Sequence, residues 1–289
     1  MPEPDFLTRQ FEEHRPRLRA VAYRMLGSPI EADDAVQDAW LRVDRADTSD
    51  VENPAAWLTT VVARVCLNML RSRDTRREET LEAAERTPAA AVEPEEEALL
   101  ADSVGLALLI VLDTLSPAER LAFVLHDMFQ VPFDEIGLLL EKSPAATRQL
   151  ASRARRRVKG APAPEADLPR RREAVGAYLA ATRGGDFDAL LALLHPDVVL
   201  HADPAVVPTP EPIFLGGART VAQAALASTG RARFSDLVLV DGRLGVASME
   251  AGRLRVVLRF TFDDGLITAV EVIGEPHRLA ELELAVPAA

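Results

Sequence analysis

Cysteine is nearly missing: Cys66 is the single one in 289 residues. A lone thiol excludes an internal disulfide and any cysteine-rich zinc site. Between Val65 and Leu67 it reads as a small core residue without redox chemistry. A basic start followed by an apolar core is also lacking, since the chain opens MPEPDFLTRQFEEH. Long hydrophobic runs are absent too; the most apolar window, SVGLALLIVLDTL, is too short and too soon charged to span a bilayer. The expected location is therefore cytoplasmic, away from membranes. No spacing of ligating side chains suggests a metal, and no cofactor is expected. Positive charge is in deficit, with a formal net charge of −12. Apolar residues at 48% and charged ones at 27% lie in the ordinary globular range, which excludes disorder, and the length allows two or three units, each burying its own core.

Against that acidic background one segment stands out. SPAATRQLASRARRRVK, residues 143 to 159, carries five arginines and a lysine between Arg148 and Lys159 without one acid. On a helix starting at Pro144, residues Leu150, Ala151, Ala154 and Val158 share one face, and Arg148, Gln149, Ser152 and Arg153 project from the other. Arginine and glutamine present the paired donors and acceptors that fit guanine and adenine edges in the major groove. Arg155, Arg156, Arg157 and Lys159 lie further along, where phosphates would be met. A solvated helix end whose cations favour the C-terminal dipole accounts for two or three of these charges, not for six in a row of one sign. Ser143-Pro144 and the capping box Ser116-Pro117-Ala118-Glu119 mark helix starts, and VPFDEIGLLLEKS supplies a short helix and a tight turn. Residues 132 to 158 thus form helix, turn, helix, the geometry of a DNA reader. Charges are screened over about 8 Å at physiological salt, so local sign outweighs the total.

Upstream, residues 6 to 77 read as helices, with Phe11, Leu18, Val21, Ala22, Met25 and Leu26, then Ala35, Val36, Ala39, Trp40 and Val43, at helical spacing. A third helix opens at Asn53-Pro54 and ends in a basic tail, with five arginines from Arg64 to Arg77. Residues 78 to 98 are acidic and rich in Ala and Pro, the composition of a linker, and GAPAPEADLPRR supplies a second linker over 161–171. From Glu173 the pattern is helix, helix, strands. LRVVLRFTF places Leu254, Val256, Leu258, Phe260 and Phe262 on one face and Arg255, Arg259 and Thr261 on the other, a half-buried strand. Turns at Asp241-Gly242, Ala251-Gly252 and Asp264-Gly265 predict a meandering antiparallel sheet with helices packed on it.

Three segments, FEEHRPRLRAVAYRMLGSPIEADDAVQDAWLRV, NPAAWLTTVVARVCLNMLRSR and LSPAERLAFVLHDMFQVPFDEIGLLLEKSPAATRQLASRARRRV, resemble in order and spacing the bacterial sigma factors of the extracytoplasmic function group. The resemblance implies two all-α sigma domains: residues 1–77, which would bind core RNA polymerase and the promoter −10 element, and residues 99–160, whose helix-turn-helix would read the −35 element. It implies a polymerase-docking surface at Asp33, Asp34, Gln37, Asp38 and Trp40. It implies a −10 reader at Trp57, Thr60, Arg64, Asn68 and Arg71, with the loop from Asp47 to Asn53 before it; single-stranded bases are held by stacking surfaces and cations. Trp57 equally suits a core position. By the same resemblance Arg148, Gln149, Ser152, Arg153, Arg156 and Arg157 fall on the −35 reader. Acid elsewhere in the chain is then expected to discourage binding to DNA without polymerase.

Residues 172–289 resemble the SnoaL-like branch of the nuclear transport factor 2 fold, an α+β cone around a pocket, which some sigma factors of the group carry as a C-terminal regulatory extension. The subgroup's Trp-Leu-Pro-Glu-Pro linker motif is absent between Glu78 and Glu97, HADPAVVPTPEPIFLGG stands where Asp-Gly-Gly-Gly-Lys is usual, and Asn-Pro-Asp-Lys-Leu survives as Glu275-Pro276-His277-Arg278-Leu279. Pro276 and Leu279 are therefore candidates for a regulatory tail. Enzymes use this fold as well. Asp197, Val199, His201 and Asp203 alternate with Val198, Leu200 and Ala202, so His201 and Asp203 either face a pocket as an acid–base pair or lie in water, and Glu271 shares that ambiguity. The expected function is a promoter-specific sigma factor, not an enzyme, with core polymerase and promoter DNA as partners and room for a small ligand in the C-terminal pocket. The alternative is a helix-turn-helix regulator fused to a ligand-binding or isomerase/cyclase-like pocket domain.

Overall fold

The computed structural model describes residues 4–46, 51, 53–80, 105–160, 168–207, 209 and 211–288. Both expected linkers, and most of the loop from Asp47 to Asn53, lie largely outside the described residues. The chain forms two compact units, one made of Met1–Leu100 and Leu115–Arg155, the other of Ala101–Thr114 and Arg156–Ala289.

In the first unit α1 (Pro4–Leu26), α2 (Pro29–Val43) and α3 (Pro54–Thr80) pack on one another. Their ends follow from local chemistry. Ser28 caps α2 ahead of Pro29, and Asn53 Oδ1 accepts the Ala56 N–H at 3.1 Å ahead of Pro54. Phe11, Leu18, Met25 and Leu26 meet Ala35, Ala39, Val62, Cys66 and Leu67 in a core shut from solvent. Burial in it pushes the Cys66 thiol up to about 12, so it stays protonated and inert. Next in the chain, α4 (Leu106–Asp113) belongs to the second unit. α5 (Pro117–Phe123) starts on the expected capping box and runs into a π turn at Val124–Met128. The helix-turn-helix follows as α6 (Phe133–Leu140) and α7 (Pro144–Lys159), with Glu141 left-handed at the turn (φ 55°). The turn is tight enough that a Cβ at Gly137 would come within 2.7 Å of the Lys142 carbonyl oxygen, so only glycine fits there without a shift.

The second unit runs α8 (Leu168–Gly184), α9 (Phe187–Leu193), β1 (Leu194–Ala202), β2 (Ile213–Gly216), α10 (Ala218–Ala227), α11 (Thr229–Ala232), β3 (Ser235–Val240), β4 (Arg243–Glu250), β5 (Arg253–Asp263), β6 (Leu266–Ile273), α12 (Pro276–Glu281) and β7 (Leu284–Ala285). The strands form one sheet in the order β2-β1-β6-β5-β4-β3-β7. β3 to β6 are the expected antiparallel meander, and both residues of each hairpin turn, Asp241-Gly242, Ala251-Gly252 and Asp264-Gly265, have positive φ. The sheet as a whole is mixed, because β1 enters parallel to β6. Leu237, Leu239, Leu244, Val246 and Leu258 pack under α8 and α11. β5 departs from the expected half-buried strand at Val257, which lies on the opposite face and is fully buried, as are Val238 and Ala247 of that face. The cover comes from α4, which lies against β3, β4 and β5. Its Ala107 N–H donates to Asp236 Oδ2 at 3.1 Å, and its Asp113 Oδ2 accepts from the Leu254 N–H at 2.9 Å. A helix reading LALLIVLD is apolar all round, and burial on this sheet accounts for that composition.

Candidate DNA-reading and docking surfaces

α2 alternates buried Ala32, Ala35, Val36 and Ala39 with exposed Asp33, Asp34, Gln37 and Asp38. Asp33 is engaged by Arg19, whose Nε donates at 2.6 Å, and Trp40 turns inward against Phe11 with ring centroids 4.9 Å apart. Asp34, Gln37 and Asp38 remain on the outer face. Ile30 and Leu41, one and two turns away on the same stripe, are 42% and 48% exposed. Those two were missed in the sequence, although their helical spacing from Asp34 and Asp38 puts apolar residues on a polar face.

Along α3, Trp57, Thr60, Arg64, Asn68 and Arg71 recur at three and four residues and form one continuous stripe, of which Arg64, Asn68 and Arg71 are exposed. Trp57 is neither core nor free. It is half-buried along a groove of about 440 Å³ together with Arg42, Ala46, Thr60, Val61 and Arg64, closed on the far side by Glu135, Leu138 and Leu139 of α6. The Thr60 hydroxyl donates to the Trp57 carbonyl at 2.7 Å, which leaves its oxygen as an acceptor.

On α7, Leu150, Ala151 and Ala154 are buried and Arg148, Gln149, Ser152, Arg153, Arg156 and Arg157 are exposed. The arginines are not equivalent. Arg153 donates Nε to Glu119 Oε1 at 3.0 Å, and Arg155 donates Nε to Asp127 Oδ1 at 2.6 Å, so both brace α7 against the preceding helical segment. Burial pushes the Glu119 carboxyl up, but hydrogen bonds from Arg153 and from Ser116 outweigh it and leave the group below the usual carboxylate range. Arg148 instead lies over the Phe133 ring, 5.7 Å from its centroid. Glu119, Asp127 and Phe133 were missed as partners of this helix.

In the second unit the candidate acid–base residues take different partners, although His201 stands opposite Glu271 on the neighbouring strand. Val198, Leu200 and Ala202 are buried in the core; His201 lies on the other face, stacked on exposed Phe214 at 4.6 Å. Asp203 follows the end of β1 and is buried: it accepts the Gly274 N–H at 3.0 Å, the Glu275 N–H at 3.2 Å and Arg278 Nη1 at 2.6 Å. Burial raises its pKa, yet these bonds and the Arg278 charge bring it below the usual carboxylate range. Glu271 pairs with Arg278 too, and with Arg259 at 3.8 Å. Pro276 opens α12, and Leu279 is buried against the domain. Arg278, standing where the subgroup motif has lysine, anchors that tail. Beyond it the Val286 N–H donates to the Val158 carbonyl at 2.9 Å, in the last turn of α7.

Residues 10–76 match the sigma-70 region 2 family, residues 106–158 match sigma-70 region 4, and residues 175–270 match the SnoaL-like domain. The chain is 44% identical to the ECF RNA polymerase sigma factor SigJ of Mycobacterium tuberculosis over 203 residues, 67% of this chain and 64% of that protein. It is 32% identical to the probable ECF RNA polymerase sigma factor SigI of the same species over 98% of both chains. The crystal structure of Mycobacterium tuberculosis SigJ aligns with 94% of this chain and 98% of its own at a TM-score of 0.45 and 32% identity. No helix among the described residues is long and apolar enough to cross a membrane. With two sigma regions in order, a SnoaL-like domain behind them and a relative matched at 32% identity over 98% of both chains, the chain belongs to the extracytoplasmic function RNA polymerase sigma factors.

Proposed function

We propose that this sigma factor docks on core RNA polymerase through the outer face of α2, meets the −10 element along the α3 stripe, and reads the −35 element with the exposed face of α7. Asp34, Gln37 and Asp38 stand beside exposed Ile30 and Leu41, so polar groups that fix register and apolar surface that a protein partner could bury share one helix face. Trp57, Arg64 and Arg71 combine an aromatic surface with cations, the requirement for holding single-stranded bases. Such work on polymerase places the protein in the cytoplasm. Purification of core polymerase with the tagged chain, followed by run-off transcription, tests this; failure of the chain to bind core would overturn it.

The SnoaL-like domain, in this reading, modulates the sigma regions and catalyses nothing. The supporting observation is α4, which lies inside the region 4 match yet is built into the C-terminal sheet, while Val286 bonds to Val158 at the other end of the same region. Both ends of the region 4 match therefore belong to the C-terminal unit. Its carboxylates argue against catalysis, since Asp203 and Glu271 are held by Arg278 and His201 stacks on the outer face. The double variant Asp113→Ala, Asp236→Ala removes the two side chains that tie α4 down, and a change in run-off transcription with unchanged binding to core is expected.

A further inference from the structure

Resting on the reading of α7 as the −35 reader, we propose that Phe133 is a positioning residue that sets the one base-reading arginine, Arg148, and that Arg153 is not a base reader. In a helix-turn-helix the residues near the start of the second helix meet base edges, while later ones run out toward the backbone. Arg148 is the fifth residue of α7 and Arg153 the tenth. Arg153 is already engaged by Glu119, whose second oxygen closes the α5 capping box, so releasing it would take that cation from a buried carboxylate.

Arg148 is exposed, and its guanidinium at 5.7 Å from the Phe133 centroid is within range of the attraction between a cation and an aromatic face. A guanidinium attracted to a ring through its charge makes no hydrogen bond there, so its N–H groups stay free for a bidentate contact with guanine. A long side chain restrained this way gives up less conformational freedom on binding. The ring is itself fixed. His126 stacks on it, with centroids 3.7 Å apart and planes 26° from parallel, and the imidazole Nδ1 lies 3.0 Å from the Val131 carbonyl oxygen. Phe133 is the first residue of α6, so the platform and the arginine are held on the two helices of the motif.

The test uses the full chain in complex with core polymerase and a duplex selected by the wild-type complex from a pool randomised over the −35 element. Each base pair of that duplex is then replaced in turn, and relative affinities are measured. Arg148→Ala is expected to lose discrimination, about five- to a hundred-fold, at one base pair. Phe133→Leu and Phe133→Met should weaken discrimination several-fold at that same pair only, Phe133→Tyr should retain it, and Phe133→Leu should add nothing to Arg148→Ala. If Arg148→Ala loses the pair while both Phe133 variants keep it, the positioning role is wrong and the −35 reading stands. If Arg148→Ala leaves every position unchanged, the reading of α7 falls and the proposal with it. A uniform loss of affinity for all duplexes by the Phe133 variants, random ones included, would reduce Phe133 to a packing residue and overturn the proposal. Arg153→Ala should leave discrimination at every position in place.

Discussion

Arg278 donates Nη1 to Asp203 Oδ1 at 2.6 Å across 75 residues of chain, and this pair joins the end of β1 to the C-terminal tail. Asp203 has a lowered pKa in the fold, so its contribution is complete above the unfolded value of about 4 and fades as pH falls from there through the folded value. Asp203→Asn should cost about 1–3 kcal/mol at pH 7 and expose the Gly274 and Glu275 amides to exchange. Thermal unfolding at pH 7, 5 and 3 should show the gap to wild type narrowing below pH 4. A gap that stays constant or widens in acid would show that the carboxylate is not what holds the tail.

The Glu119–Arg153 pair predicts a stability effect without a specificity effect. Arg153 is half exposed, so solvent screens much of the attraction, and Arg153→Ala should lower stability by about 0.5–1 kcal/mol. Glu119→Gln should behave alike at pH 7 and approach wild type in acid, because the lowered pKa of Glu119 confines its contribution to the ionised form. Urea unfolding of both variants checks this, and an unchanged midpoint for both would count against the bracing role.

On α2, replacing Asp34 and Asp38 together by lysine should weaken binding to core polymerase while changing stability by less than about 0.5 kcal/mol, since both are exposed and without a buried role. Leu41→Ala should weaken it further, as apolar surface at the rim of the patch is lost. Competition binding to core polymerase measures both effects. Unchanged affinity in the triple variant would move the docking face elsewhere.

What was legible in the sequence was what local chemistry decides. Asn53-Pro54, Ser116-Pro117 and Ser143-Pro144 start their helices because cap and proline act within one turn. The hairpins form where Asp-Gly and Ala-Gly pairs take positive φ. The α3 stripe and the two faces of α7 follow from helical period alone. Contacts made across long stretches of chain were not legible. Val257 reads as an odd apolar residue in an alternating strand, and its cover includes α4, bonded to Leu254 from 141 residues upstream. Periodicity assigned His201 and Asp203 to one face, but it could not announce that Asp203, just past the end of β1, is held by Arg278 from 75 residues downstream. The parallel β1–β6 pairing is of the same kind, because no turn joins those strands and nothing local announces it.

The two deletions that remove the C-terminal domain or only its tail should have different consequences, because the first takes away every strand under α4 and the second only β7. Removing residues 172–289 takes away the sheet under α4, whose Leu109, Ile110, Val111 and Leu112 are fully buried, and leaves an apolar helix with its cover gone. That truncated chain should still bind core polymerase through α2, but it should transcribe abnormally and self-associate. Removing only 275–289 keeps β3, β4 and β5 under α4, while it deletes Arg278, the Val286 bond to Val158 and β7, which also touches α4. This shorter deletion should stay monomeric and change output to a different degree. Gly160→Ala reaches the same end of α7 with one atom: the residue has φ 55°, and an added Cβ would overlap Ala285 of β7. It should therefore shift output in the direction of the short deletion, and less far. Run-off transcription at matched concentration and salt, with light scattering alongside, compares the four proteins. Equal output from all of them would mean that these contacts of α4 and α7 have no part in control.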